Sequence, residues 1–191
     1  EIRTWKGAEG LAADVRAYGQ WMRDEAENRI GHLYPKATLQ DGTRANVIAW
    51  IWARTVSCPN PGCGIEMPLA RTWWLGKKKD KQAYVVPKVV DSPSAPGGRR
   101  VHFTIAHDLS KAPEKDTDGT MSGRAGAVCV ACGSTASIEH IKAEGTAGRM
   151  GATLMAIVAE GKRRRIYLEP TLEHAKAAEV QRPADVPDQE L

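Results

Sequence analysis

Four cysteines carry the clearest chemistry in this sequence. Cys58 and Cys63 close the run Cys58-Pro-Asn-Pro-Gly-Cys63, and Cys129 and Cys132 close Cys129-Val-Ala-Cys132. Thiolates are soft ligands, and four of them at roughly 2.3 Å satisfy a zinc ion in a tetrahedron. Two cysteines a few residues apart in a tight turn aim both sulfurs at one ion. Gly64 and Gly133 follow the two pairs. Glycine there lets the backbone curl so that its N–H groups support the thiolate charge. The two pairs use every cysteine of the chain. Such a site leaves no position for water, so the expected Zn2+ is structural and its binding contributes folding energy. The competing readings are free buried thiols, or disulfides in an oxidised sample. His102 and His107 are the candidates to replace one sulfur, but neither lies at knuckle spacing.

A knuckle needs strands to hold it. Val47, Ile48, Trp50, Ile51, Trp52 and Val56 predict a strand running into Cys58. Trp50 and Trp52 fall on one face of it, with core packing the favoured role. Between Cys63 and Cys129 lie 65 residues, a long insert for a zinc ribbon. Strands predicted at 66–75, 83–90 and 101–106 fill most of it, with Pro87 marking an edge or a bulge. Residues 107–124 read as a polar, mobile loop. Beyond Cys132, 137–143 reads as a strand, and 154–168 as a β-hairpin turning at Glu160-Gly161-Lys162, with a helix as its rival. Gly145, Gly148 and Gly151 lack the Lys-Ser/Thr ending of a phosphate loop, and so mark a turn or a close backbone approach.

At the N-terminus, Leu11, Val15, Tyr18, Met22, Ile30 and Leu33 recur at helical steps, and Pro35 ends the pattern. That stripe packs on the domain core or on another part of a longer parent. The chain starts at Glu1 inside this helical pattern and ends in a polar tail, as an excised fragment would. The expected architecture is α+β: an N-terminal helical segment at 1–36, a zinc-ribbon β domain with an antiparallel sheet at 37–170, and a C-terminal helix with a disordered tail at 171–191. The 154–168 hairpin and the short helix from about Leu172 complete it.

Charge is concentrated. The net charge is +4, yet the stretch from Arg71 to Ile105 alone carries eight Lys or Arg against two acids. Lys77, Lys78, Lys79 and Lys81 fall on a predicted turn, with Arg99 and Arg100 further along. A second cluster, Lys162, Arg163, Arg164 and Arg165, sits at the C-terminal hairpin turn. Basic turns meet phosphates, and Trp73 and Trp74 beside the lysines are candidates to stack on bases; solvated turns and core tryptophans are the alternatives. No paired carboxylates, Ser/His/Asp set or phosphate loop stands out. The five histidines are scattered singly, so no catalytic residue is expected. No run of apolar residues is long enough for a membrane span. No signal peptide is visible, and cysteines read as metal ligands fit a cytoplasmic protein.

With the knuckles located, the sequence resembles the zinc-ribbon segment of adenine-specific DNA methylases that contain a zinc ribbon. The resemblance rests on Arg29-Ile-Gly-His-Leu-Tyr-Pro35, Val47-Ile-Ala-Trp-Ile-Trp-Ala-Arg-Thr55, Cys58-Pro-Asn-Pro-Gly-Cys63, Ala143-Glu-Gly-Thr-Ala-Gly-Arg-Met-Gly151 and Met155-Ala-Ile-Val-Ala-Glu-Gly161. In that family this segment lies between a glycine-rich S-adenosylmethionine motif and an Asp-Pro-Pro-Tyr catalytic motif. Neither occurs here, and the chain has no Pro-Pro dipeptide. The resemblance therefore implies a parent enzyme that methylates adenine N6, and a fragment that is not an enzyme alone. Only the four cysteines carry over, as zinc ligands. DNA recognition is the function it favours. A scaffold that docks the catalytic halves or a protein partner is the alternative.

Overall fold

The computed structural model describes residues 4–114, 119–162 and 164–181. The chain divides into two units, Glu1–Pro35 and Lys36–Leu191. The first is dominated by helix α1, Glu9–Ile30, followed by one 3-10 turn at Gly31–Leu33. Its interior lacks proline, and pairs one turn apart brace it: Gln20 donates to Asp24 at 2.7 Å and Arg29 to Glu25 at 2.7 Å. None of its residues is buried; Leu11, Val15, Tyr18 and Met22 are each more than 60 % exposed.

The second unit opens with a small hairpin, β1 (Ala37–Thr38) and β2 (Arg44–Ala45). Its turn is the one expected at Asp41-Gly42: Asp41 accepts from the Thr43 N–H and hydroxyl, and Gly42 takes φ +80°. Next come β3 (Val47–Ser57), β4 (Glu66–Leu69), β5 (Trp74–Gly76), β6 (Ala83–Asp91) and β7 (Arg99–Ala106). After them lie the short pair β8 (Ala127–Val128) and β9 (Thr135–Ala136), then helix α2 (Ile138–Thr146). The chain closes with β10 (Gly151–Gly161), β11 (Arg164–Leu168) and helix α3 (Leu172–Ala177). Two antiparallel sheets result, one ordered β11-β10-β3-β4 and one β5-β6-β7. This is a mixed α+β fold.

β10 is the central buried strand, apolar from Leu154 to Ala159 without alternation. It reads that way because both of its faces are covered. Met155 and Ala156 join Ala53, Val85 and Phe103 in the core between the two sheets. Leu154, Ile157 and Ala159 pack with Ala37 on the other side. Trp50 is half-buried on that second core, and its Nε1–H donates to Nδ1 of buried His174 on α3 at 2.8 Å. Trp52, two residues on, is 38 % exposed.

Three expectations need correction. The strand foreseen at 66–75 is two strands in different sheets. Ala70 donates to the buried Thr120 hydroxyl at 2.9 Å instead of continuing the ladder, and the chain crosses over there. The segment 137–143 is the start of α2: Ser137 caps it by accepting the His140 N–H, a local hydrogen bond that outbids a strand. The polar stretch after Ala106 is tied down where it is described. Tyr84 donates to the Asp108 carbonyl at 2.8 Å, Trp74 Nε1 to that of Pro113 at 3.0 Å, and Thr120 to that of Pro68 at 2.6 Å. Pro87 sits where β6 pairs with β7 alone, beyond the reach of β5, so its missing N–H costs no ladder bond. The tail foreseen as disordered lies at 182–191, outside the described residues. Among the described residues no helix is long and apolar enough to cross a membrane.

Candidate metal centre

Each cysteine pair occupies the turn of a hairpin. The first links β3 to β4, and the second links β8 to β9. The two turns are built alike. The Cys58 N–H donates to the Ile65 carbonyl, and the Cys129 N–H to that of Ser134, both at 2.9 Å. Gly64 and Gly133 follow the second cysteines in the left-handed region, at φ +57° and +73°. The four Sγ atoms lie within 4.8 Å of one another. Cys58 and Cys132 are 3.7 Å apart, Cys63 and Cys129 4.0 Å.

Those separations decide between the readings of the thiols. A disulfide holds its sulfurs at roughly 2.05 Å, so none is formed. Four sulfurs bonded at roughly 2.3 Å to one tetrahedral ion sit roughly 3.8 Å apart. The cluster fits one metal ion, and Val56, Ile65, Met67, Ala127, Ala136 and Ile141 pack beneath it as a dry floor.

The surroundings of the sulfurs differ. Burial pushes the Cys58 thiol up to about 12, against the N–H of Asn60. Burial also raises Cys129, opposed by the N–H groups of Ala131 and Cys132. Cys132 is exposed and is held down to about 6 by the Ser134 hydroxyl and N–H. An incoming cation therefore meets one ready thiolate, and displaces protons from the buried thiols.

Three contacts around the sulfurs went unread in the sequence. Arg99 Nη2 donates to Cys63 Sγ at 3.6 Å, which brings a guanidinium onto a buried sulfur. Gly97, at φ +69°, lies against the first knuckle so closely that a Cβ would overlap the Cys63 carbonyl oxygen. Asn60 joins the two turns by donating to the Ser134 hydroxyl at 3.2 Å. The tip of the β6–β7 hairpin thus roofs the metal centre. Arg99 read as one more cation of a basic stretch, and Gly97-Gly98 as plain loop. Only the pairing Asp91↔Arg99 brings them over Cys63.

The other candidate residues scatter. Lys77, Lys78, Lys79 and Lys81 are exposed at the turn between β5 and β6. Arg100 is exposed opposite Val90, on the face of the β6–β7 pair that also carries Lys88 and His102. Arg164 and Arg165 are exposed at the start of β11, and Arg163 lies outside the described residues. Trp73 and Trp74 are buried, at 7 % and 8 % exposure. Trp73 packs against Phe103 and Trp74 against Tyr84, so they are core residues and offer no ring face to a base. A pair of adjacent tryptophans at the crossover between sheets puts one ring on each side of the second sheet, which is why neither reaches solvent.

The fold and site define a mixed α+β protein with a four-cysteine cluster. No family model, no curated protein and no solved structure matches the chain.

Proposed function

We propose that this chain is a zinc-stapled β domain that engages DNA on behalf of an adenine-specific DNA methylase, without taking part in methyl transfer itself. The observation that carries the metal half is the sulfur spacing. Four sulfurs within 4.8 Å of one another, with Cys58 and Cys132 at 3.7 Å and Cys63 and Cys129 at 4.0 Å across the two turns, suit a closed tetrahedral site. Such a site suits zinc or iron. Zinc is the choice because the cluster caps a packed core, where a redox-inert ion contributes folding energy. The DNA half is supported by the exposed lysine turn at 77–81, by Lys88 and Arg100 on one face of the β6–β7 ribbon, and by the resemblance of the sequence. In this reading S-adenosylmethionine and the Asp-Pro-Pro-Tyr motif belong to the catalytic halves of the parent enzyme, which are this domain's other partners.

Metal analysis should return one zinc per chain and no iron. Fluorescence anisotropy with duplex DNA should show affinity that falls steeply with salt, and charge reversal at Lys77, Lys78 and Lys79 should weaken it and flatten the salt slope. A zinc-loaded, folded sample that leaves duplex DNA unbound at low salt would refute the DNA half. The second reading, a docking module, is favoured by one observation: Leu11, Val15, Tyr18 and Met22 of α1 present apolar surface to solvent. Polar replacement of these four should then abolish assembly with the catalytic halves while DNA affinity persists.

A further inference from the structure

The two basic turns stand 80 residues apart in sequence, yet the second unit brings them to one place. β11 is the edge strand of its sheet, and Tyr167 on it donates to the Leu75 carbonyl of β5 at 3.1 Å. That contact joins the edges of the two sheets. Alongside it lies a cleft of about 720 Å³, lined by Arg164, Arg165, Lys81, Asp41, Asp80 and His107 among others. The size lies within the roughly 300–1,000 Å³ of small-ligand sites. Leu39, Ile166 and Leu168 supply apolar wall.

The lysine rim and Asp41 are held in place. The lysine turn is ordered by the Lys81 N–H donating to the Lys78 carbonyl at 3.0 Å, with Asp80 at φ +63°. His107 Nδ1 lies 2.8 Å from the Gln82 carbonyl oxygen. Asp41 is fixed by Thr43, whose hydroxyl and N–H hold its carboxyl below the usual range, with Lys162 adding to the effect.

The mixture of charges narrows the ligand. Three cationic residues, Lys81, Arg164 and Arg165, line the cleft together with two acids, Asp41 and Asp80. Arginine forks suit phosphate oxygens. Carboxylates repel a polyphosphate and accept from an exocyclic amino group, such as adenine N6 or cytosine N4. Apolar wall suits the face of a base. Phosphate, base face and amino edge together describe one nucleotide carrying a single backbone charge.

We propose that this cleft binds one unpaired nucleotide of a nucleic-acid strand, its phosphate on Arg164 and Arg165 and an amino-bearing base toward Asp41 and Asp80. This rests on the DNA-engaging reading and adds a place and a base preference to it.

The test uses the zinc-loaded chain and fluorescein-labelled single strands of about ten nucleotides, within the usual footprint of single-strand binders. Oligo(dA) and oligo(dC) should bind tighter than oligo(dT). Arg164→Glu with Arg165→Glu should lower oligo(dA) affinity by about tenfold or more. The two arginines are exposed, so melting temperature and zinc content should hold. Lys142→Glu, exposed on α2 and outside the cleft, should leave oligo(dA) binding within about twofold of the parent. Unlabelled AMP should compete only at large excess, because a strand also reaches the lysine rim. Unchanged affinity in the double variant overturns the cleft, and if duplex binding keeps its salt slope the DNA-engaging reading survives that failure. Preference for oligo(dT) overturns the role of the carboxylates. Competition by AMP at concentrations equal to the strand overturns the strand assignment in favour of a free nucleotide.

Discussion

The two cysteine turns share a backbone and differ in what surrounds them. Around Cys58 and Cys63 both sulfurs are buried, the Arg99 guanidinium reaches Cys63, and Gly97 closes over the backbone. Around Cys129 and Cys132 one sulfur is buried and the other faces solvent, supported by Ser134. The first turn is wedged beneath the β6–β7 tip, whereas the second hangs from a pair of two-residue strands. A metal ion therefore does different work on each side. It binds two sulfurs that the fold has already enclosed on one, and on the other fixes a turn whose second sulfur faces solvent.

The sharpest way to break this comparison is to remove one sulfur from each side. Cys63→Ser should abolish metal retention and destabilise the domain by on the order of 3–5 kcal/mol, because it leaves a buried hydroxyl and a guanidinium without its sulfur. Cys132→Ser should also lower the melting temperature, by less, since a hydroxyl at an exposed position is solvated and three sulfurs remain. Thermal melts with metal analysis of each variant check this. Equal losses would mean that the roof over the first turn is irrelevant.

Acid should come next. Burial keeps Cys58 and Cys129 protonated at neutral pH, while Cys132 is already a thiolate above about 6. Binding thus releases at least two protons near pH 7, and affinity should fall about a hundredfold for each unit of pH lowered. Below about pH 6 Cys132 also takes up a proton, and the fall should steepen. Calorimetry in buffers of different ionisation enthalpy counts the protons. A count of zero would mean that the buried thiols are ionised before metal arrives.

Arg99→Ala should cost less, about tenfold in metal affinity, as removal of a partner of a ligand commonly does. Arg99→Lys should recover part of it, because the charge persists without the fork. A chelator competition assay reads both. The prediction separates the turns, since the groups that favour the charged form of the Cys129 and Cys132 sulfurs include backbone N–H groups and the Ser134 hydroxyl, where Cys63 has a guanidinium.

How much of this was legible depends on the range of the interaction. The knuckles are local, and two cysteines and a glycine specify each turn, so the cluster could be read from spacing. Alternating strands such as β3 and β7 were legible for the same reason. β10 was ambiguous because burial on both faces erases alternation. The 137–143 segment was misread because one Ser137 hydroxyl, not periodicity, starts α2. Trp73 and Trp74 read as candidates to stack on bases because basic residues follow them, with core packing as the alternative, whereas the crossover between sheets that buries them is set by Thr120, 50 positions from Ala70 in sequence. The same holds for Arg99, which reaches its sulfur through the register of a hairpin.

The smallest effect tests a place that neither turn touches. Trp50 donates to Nδ1 of His174, which is buried and whose pKa burial lowers from the ordinary histidine value. Nδ1 must be unprotonated to accept, so the ring has to stay neutral in the fold. A group with a lowered folded pKa adds stability above its unfolded value, near 6.5, and loses it as pH falls through the folded value. Trp50→Phe removes the donor and should cost about 1 kcal/mol at pH 7.5. It also removes the N–H that opposes a protonated ring. The gap in melting temperature between parent and variant should therefore narrow as pH falls below 6.5, with metal content unchanged in both. A gap that stays constant would mean that His174 does not titrate against Trp50. A variant that loses metal would mean that the core beside α3 and the core beneath the cysteines are one cooperative body, and the contrast between the two turns would then have to be sought in their shared foundation.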